Sequence, residues 1–444
     1  MTLRLPARDR QILLLALPSI VQNITVPLLG LCDVAIAGHI GDATTIGAIA
    51  VGSMIFNVMY WLFGFLRMGT SGLTSQALGA RQLTETTLVL RQGLLVALST
   101  GLAIAALQWP LRSVAFWLMQ PTADVAALCL PYYNICVWGA PAVLGLYALT
   151  GWYIGMQNTR TPMFTAIVQN VVNIVASLLC VFVWDMGIEG VAIGTLVAQW
   201  TGFGLSLLLL KKFYGKKIGA ARKANGAKAN KERRGQLWRF LSINRDIFLR
   251  TLCLVAVNLY FTSAGARQGA LMLAVNTLLM QLFTLFSYFM DGFAYAGEAL
   301  AGRYYGAGNH TALNDTVRRL LRWGVAVTML FTLLYWLGGT PFLRLLTDDT
   351  TVVSAARDYL PWALLIPLSG MGAFVWDGIF IGLTYTRGML LSCAVATAAF
   401  FGLWACLQPI WANHALWLAL IVYLALRGII QSLLYRQRYG LRNS

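Results

Sequence analysis

Four carboxylates of this sequence stand inside long apolar stretches: Asp33, Asp291, Glu298 and Asp377. The other twelve acids fall in predicted loops, in a basic linker or at the ends of apolar stretches. A charged side chain within a bilayer is costly, and it usually marks an ion pathway, a proton relay or a ligand site. These four residues are therefore the first candidates for chemistry.

The stretch that contains Asp33 has features of a helix that can bend. Gln22 precedes Asp33 by eleven residues, about three helical turns, so the two side chains share a face. Pro18 and Pro27 each remove a backbone hydrogen bond and permit a kink. Apolar neighbours around Asp33 favour the neutral acid over the carboxylate. The pattern predicts a helix that can change shape when Asp33 changes charge, with Pro18 and Pro27 as candidate hinges and Gln22 as a candidate cavity residue.

A second polar face occurs in "IVQNVVNIVASLL". Gln169, Asn173 and Ser177 are spaced i, i+4 and i+8, with Asn170 beside them, and such spacing aligns side chains on one helix face. Two interpretations stay open. The amides could hydrogen-bond neighbouring membrane helices, or they could line a substrate or ion cavity.

The remaining acids have less certain roles. Asp291 and Glu298 lie toward the predicted inner end of their span, where an ion pair with Arg303 or Arg67 would be structural or would act in gating. Asp377 is equally compatible with a structural role and with a position in the substrate or ion cavity.

Composition identifies the solvent of the fold as a lipid bilayer. The chain has 444 residues, of which 58% are hydrophobic and 11% charged, against about 25% charged in soluble proteins. A membrane helix needs about 20 apolar residues. Twelve such segments are predicted, and they indicate an all-α integral membrane protein: 11–36, 45–66, 85–108, 126–150, 161–183, 187–210, 246–265, 270–293, 318–340, 357–382, 389–410 and 413–435.

The basic residues behind the net charge of +17 fall mostly on one side of the predicted membrane. With twelve spans and an inner N-terminus, 29 of the 33 Lys and Arg residues fall on the inner side, thirteen of them between Lys211 and Arg250. This asymmetry follows the positive-inside rule. It predicts a multi-pass protein of a bacterial-type inner membrane with both termini in the cytoplasm. The same rule explains the basic segment without a nucleic-acid partner.

The sequence lacks the motifs of enzymes and metal sites. Its seven cysteines lie in or beside apolar spans with no C-x-x-C, and its three histidines are scattered in predicted loops. It contains no H-E-x-x-H, no G-x-S-x-G and no GK[ST] phosphate loop. We therefore expect no enzyme activity, no bound metal and no cofactor, and an ion gradient as the energy source.

The chain contains an internal repeat. "GWYIGMQNTR" at 151–160 matches "GIFIGLTYTR" at 378–387 in five of ten positions at an offset of 227, and the same offset aligns Gly38 with Gly265. Six spans in each copy give both halves the same orientation, a parallel repeat. We predict an N-lobe at 1–210, a basic cytoplasmic linker at 211–245 and a C-lobe at 246–444, related by a pseudo-two-fold axis along the membrane normal.

Several segments together resemble the multidrug and toxic compound extrusion (MATE) family and, within it, the DinF branch. They include "NITVPLLGLCDVAIAGHIG", "FLRMGTSGLTSQALGAR", "VQNVVNIVAS", "DGFAYAGEALAGRYYGAGN" and "DGIFIGLTYTR". The resemblance implies a twelve-helix exporter of cationic or amphipathic compounds that exchanges them for H⁺ or Na⁺. It also implies that Asp33, fifteen residues after Pro18, carries the cation. The family's second acid, four residues after Asn173, is here Ser177.

Three classes of function differ in the residues they require. The first is a secondary antiporter working by alternating access, with a small cationic or amphipathic substrate and H⁺ or Na⁺ as the coupling ion. The alternative is a flippase for a lipid-linked sugar, which would need cationic residues in its cavity; no Lys lies in any predicted span. The third, a membrane enzyme, lacks its motifs. We expect the transporter to be a monomer in the bilayer.

Overall fold

The computed structural model describes residues 6–40, 43–224, 230–347 and 349–439. Within these ranges, some side chains are outside the description: those of 26–31, 33, 34, 37, 40, 43, 221–224, 230–234 and 236. The described residues form helices joined by short turns, and none of them lies in a strand. This is the all-α architecture that the apolar segments predicted.

Fourteen helices follow one another along the described ranges. Their bounds are α1 Ala7–Ile40, α2 Ala43–Leu62, α3 Phe65–Gly79, α4 Leu83–Ala106, α5 Gln108–Met119, α6 Ala123–Cys136, α7 Ala140–Gly155, α8 Arg160–Leu178, α9 Gly187–Ala224, α10 Asn230–Arg267, α11 Ala270–Gly306, α12 His310–Leu346, α13 Thr350–Gly382 and α14 Thr386–Tyr439. A 3₁₀ turn, Val137–Gly139, joins α6 to α7, and a π-helical turn, Leu179–Val183, follows α8.

The helices account for the twelve predicted spans. Ten segments among the described residues are long and apolar enough to cross a membrane, with α2–α3 and α6–α7 each forming one. The last of these, α14, is two helices that meet at Ala412, whose φ of 42° and ψ of −120° are not helical. Helix α1, with 34 residues, contains the first predicted span. The all-helical, twelve-span fold is confirmed.

The chain divides into two compact units. The N-terminal unit comprises residues 21–244, and the C-terminal unit comprises the start of α1, up to Ile20, together with the chain from Arg245 onward. The division therefore falls inside α1 and α10 rather than in a loop. The basic segment 211–245 is also largely helical, because α9 continues to Ala224 and α10 begins at Asn230.

Charged side chains attach the start of α1 to α12 inside the C-terminal unit. Arg319 pairs with Asp9 at 2.5 Å and with Asp315 at 3.0 Å, and Arg8 pairs with Asp315. The indole N–H of Trp323 donates to Asp9 at 3.2 Å. These contacts explain why the first turns of α1 belong with the C-terminal half of the sequence.

The internal repeat is visible in the turns that end corresponding helices. After α7, Gln157 has φ of 61°, and the N–H of Asn158 donates to the carbonyl of Tyr153 at 2.9 Å. After α13, 227 residues later, Thr384 has φ of 52°, and the N–H of Tyr385 donates to the carbonyl of Phe380 at 2.9 Å. Arg81 after α3 and Gly308 after α11 form a second such pair, with φ of 59° and 67°.

Close helix crossings repeat at the same offset. A Cβ atom at Gly151 of α7 would overlap the carbonyl oxygen of Arg67 on α3. In the other unit, a Cβ atom at Gly378 of α13 would overlap the carbonyl oxygen of Ala294 on α11. Small residues let membrane helices approach to backbone contact. The two units thus share a packing detail as well as a sequence pattern.

Candidate functional site

The polar face of α8 packs against α9 within the N-terminal unit. The amide of Asn173 donates to the hydroxyl of Thr195 at 3.0 Å. Ser177 lies against Gly194, where a Cβ atom would come within 2.7 Å of the Ser177 backbone nitrogen. Gln169 lies against Gly202 in the same way, so Gln169, Asn173 and Ser177 all face α9.

Among the described residues, two oxygens at this crossing are buried without a hydrogen-bond partner. They are the Asn173 amide oxygen and the Ser177 hydroxyl, in residues that are 1% and 0% exposed. A buried polar atom left unsatisfied costs about 1–3 kcal/mol. The Asn173 oxygen can accept a hydrogen bond from a protonated acid, and both oxygens have the chemistry that hard cations prefer.

A neighbouring amide connects α8 to α1 in the same unit. Asn170 donates from its amide nitrogen to the backbone carbonyl of Thr25 at 3.1 Å. The Thr25 hydroxyl in turn donates to the carbonyl of Gln22 at 2.7 Å. These bonds fix α8 to the turn of α1 just before Pro27. The sequence placed Asn170 beside the polar face of α8 but did not predict its contact with α1.

The predicted coupling residue Asp33 lies in α1, as do the predicted hinges Pro18 and Pro27. The side chains of Asp33 and Pro27 are outside the described part of the chain. Helix α1 is continuous through both prolines, and Pro18 and Gln22 are half-buried. Their assignment to coupling, hinge and cavity therefore stays a prediction.

The C-terminal unit contains a buried cluster of charges around Asp377. One carboxylate oxygen of Asp377 accepts from Arg250 of α10 and from Arg427 of α14, the latter at 2.5 Å. The other oxygen accepts from the amide of Gln431 at 2.7 Å. Asp377, Arg250 and Arg427 are 6%, 7% and 4% exposed, and Gln431 is fully buried. Asp377 is thus an ion-paired carboxylate.

Close backbone contacts set the position of Asp377. A Cβ atom at Gly428 of α14 would come within 3.0 Å of the Gly372 backbone on α13, so these two helices touch through glycine. Gly378, next to Asp377, contacts the backbone of α11. Helices α10 and α14 therefore supply the arginines that bond Asp377 of α13, α11 packs beside it at Gly378, and Arg427 is one residue from the glycine contact.

The sequence did not predict this cluster, because Arg250 and Arg427 fall among the 29 basic residues that the positive-inside rule assigns to the inner side. Both arginines are instead buried inside helices. Their neighbours carried a usable signal, since "IFLRTLCLV" and "YLALRGII" place each arginine within an apolar run. A buried cation requires an anionic partner. Asp377, also within an apolar run, was a candidate for that partner.

The other two predicted acids lie on α11. Glu298 is 1% exposed, and its backbone carbonyl lies where a Cβ atom at Gly382 would approach to 2.7 Å. Asp291 is half-buried, two turns earlier on the same helix. The structure therefore leaves both open as gating or inner-side candidates.

Across the described ranges, no group of three or more His, Cys, Asp or Glu side chains is arranged to hold a metal ion. The two units thus offer two different polar sites. The first is neutral and lies on α8 and α9, in the unit that contains Asp33. The second is charged and surrounds Asp377.

The chain belongs to the MatE family. The family model matches residues 18–179 and 247–403, one match in each half of the chain. The family thereby accounts for the internal repeat, and it assigns this multi-pass membrane protein to the transporters rather than to the enzymes.

The chain is similar to DNA damage-inducible protein F of Escherichia coli (strain K12), with 38% identity over 435 residues that cover 98% of this chain and 94% of the relative. It is 20% identical to the probable multidrug resistance protein NorM of Thermotoga maritima, over 91% and 85% of the two chains. The crystal structure of a mutant of the Vibrio cholerae MATE transporter VcmN matches with a TM-score of 0.86 at 18% identity, covering 98% of each chain. The expected family, DinF likeness and fold are confirmed.

Proposed function

We propose that this transporter is a secondary antiporter that exports cationic or amphipathic compounds in exchange for H⁺ or Na⁺ by alternating access. Asp33 is the coupling carboxylate, and the polar face of α8 provides its neutral partners. The protein works in a bacterial inner membrane with both termini in the cytoplasm. The similarity to the probable multidrug resistance protein NorM of Thermotoga maritima supports export as the direction of transport.

The observation that carries this proposal is the set of unsatisfied oxygens on α8. The Asn173 amide oxygen and the Ser177 hydroxyl are buried, without partners in the described part of the chain, in the same unit as the Asp33 segment of α1. Asn170 holds that segment at Thr25. A proton or a sodium ion at Asp33 would find ready acceptors there, whereas a second carboxylate is absent because Ser177 occupies its place.

Coupling follows from the charge of Asp33. Binding a cation from the outside neutralises the carboxylate and lowers the cost of keeping it away from water. Helix α1 then changes shape near Pro18 or Pro27, where a backbone hydrogen bond is missing. Release of the cation to the inside restores the charge and the first shape. A cationic cargo is displaced when the site becomes neutral.

The flippase alternative needs a cationic cavity for a pyrophosphate. Two buried arginines do occur in the C-terminal unit, but Asp377 neutralises one of their charges. The remaining single positive charge is too small to balance a pyrophosphate, which carries at least two negative charges. The antiporter remains the better-supported function.

Purified protein in liposomes tests the proposal. An imposed inward pH or sodium gradient should drive export of a fluorescent organic cation by the wild type. Asp33→Asn should abolish gradient-driven export, and Asp358→Asn, at an exposed acid of α13, should leave it unchanged. Full export by Asp33→Asn would assign the coupling to another residue.

A further inference from the structure

The cluster around Asp377 is not electrically balanced. Arg250 and Arg427 contribute two positive charges, Asp377 contributes one negative charge, and Gln431 is neutral. Among the described residues, Asp377 is the one acid that pairs with either guanidinium. Asp246, one turn before Arg250 on α10, forms an ion pair with Arg245 at 3.1 Å and accepts a hydrogen bond from the Thr386 hydroxyl at 3.0 Å.

The cluster also contains unpaired hydrogen-bond donors. Among the described residues, the Nε–H groups of Arg250 and Arg427 are buried without a partner, and so is the amide oxygen of Gln431, so unpaired donors outnumber unpaired acceptors two to one. These donors belong to side chains that are more than nine-tenths buried. Burying an ion costs several kcal/mol unless charge and hydrogen bonds are both satisfied. One further negative charge with oxygen acceptors would meet both needs.

We propose that the C-terminal unit binds a singly charged oxyanion, such as a carboxylate or sulfonate group, between Arg250 and Arg427. Arginine suits this role because its planar fork offers paired N–H donors to an oxyanion, and it stays charged when buried. Asp377 holds both guanidiniums in place and limits the site to one negative charge. The site lies apart from Asp33 in sequence and does not depend on the proposed antiport reaction.

The surroundings give the site an apolar and aromatic side. The guanidinium of Arg427 lies over the ring of Tyr423, 5.4 Å from its centre. The thiol of Cys393 lies 3.7 Å from the Tyr423 hydroxyl and donates to the Arg250 carbonyl at 3.7 Å. An anion attached to an apolar ring therefore suits these surroundings better than a fully hydrated inorganic ion.

Equilibrium dialysis of the full-length protein in detergent with radiolabelled benzenesulfonate tests the proposal. The wild type should bind it saturably, and neutral benzenesulfonamide should not compete. Arg427→Gln and Arg250→Gln should each weaken binding at least about tenfold, which corresponds to about 1.4 kcal/mol. Arg344→Gln, at an exposed arginine of α12, should bind like the wild type.

A second pair of variants tests the charge of the cluster, and size-exclusion chromatography before dialysis shows which variants are folded. Asp377→Asn raises the charge of the cluster and should bind benzenesulfonate more tightly than the wild type, whereas Asp377→Asn combined with Arg427→Gln should return toward the wild-type affinity. Asp33→Asn should bind normally, so failure of antiport and failure of this site are distinguishable. Absent or unsaturable binding by the wild type, or affinity unchanged in Arg427→Gln, would overturn the proposal.

Counterflow separates the two sources of such an anion. Liposomes preloaded with benzenesulfonate should accumulate the label if the anionic group belongs to transported cargo. Saturable binding without counterflow would identify a resident counter-ion. Both results support the site, and competition by chloride or phosphate in the dialysis experiment then ranks the inorganic candidates.

Discussion

Replacing Asp377 with asparagine should destabilise the C-terminal unit more than any exposed charge substitution. The variant keeps the volume of the side chain but leaves Arg250 and Arg427 without a counter-charge. Both arginines are less than one-tenth exposed, so water cannot replace the carboxylate. Removing one partner of a buried ion pair costs about 3–5 kcal/mol, and the bonds from both guanidiniums place this change toward the upper end.

Unfolding in mixed detergent micelles, followed by tryptophan fluorescence, gives the measurement. The control is Asp358→Asn, at an exposed acid on the same helix, which should lie within about 0.5 kcal/mol of the wild type. Replacing all three charged residues, as Arg250→Met, Asp377→Leu and Arg427→Met, should recover most of the loss, because apolar substitutes need no counter-charge. An Asp377→Asn variant as stable as the wild type would refute the buried, unbalanced cluster.

Three further outcomes are expected. Gly194→Val should lower the free energy of unfolding by about 1–3 kcal/mol, because the new side chain clashes with Ser177. Gly204→Val, on the same helix but with open space around it, should be tolerated. Equal effects of the two substitutions would contradict the α8–α9 packing. Ser177→Asp adds an acid beside Asn173 and should shift the pH or sodium dependence of export, so an unchanged profile in a folded variant would remove α8 from the coupling site. A cysteine introduced at Gly235 should react with impermeant reagents only from the cytoplasmic side, and labelling from outside would reverse the topology.

The fold was predictable because lipid imposes simple rules on sequence. Every backbone group in the bilayer must be satisfied within the chain, so apolar length alone located the twelve spans. The repeat could be recognised in the sequence at Gly151 and Gly378, because only glycine permits the close backbone contacts that both positions make. The basic segment, predicted as a linker, is mostly helical, because α9 continues to Ala224 and α10 begins at Asn230.

The sites were less predictable because they depend on which helices touch. The spacing of Gln169, Asn173 and Ser177 indicated a polar face, but only the fold shows that Thr195 and Gly194 of α9 meet it. The charge count treated every arginine as a topological signal, although an arginine can lie deep in a bundle when an acid on another helix pairs with it. Partners separated by more than 100 residues, such as Arg250 and Asp377, leave no local pattern.

Gradient-driven export by Asp33→Asn in liposomes is the most direct test of the central proposal. The variant replaces the carboxylate by a neutral amide that resembles the protonated acid, so it should fold and bind an organic cation while losing all response to an imposed pH or sodium gradient. Wild-type protein in the same membranes should respond to one of the two gradients. Export by Asp33→Asn at the wild-type rate would contradict the assignment of Asp33 as the coupling carboxylate.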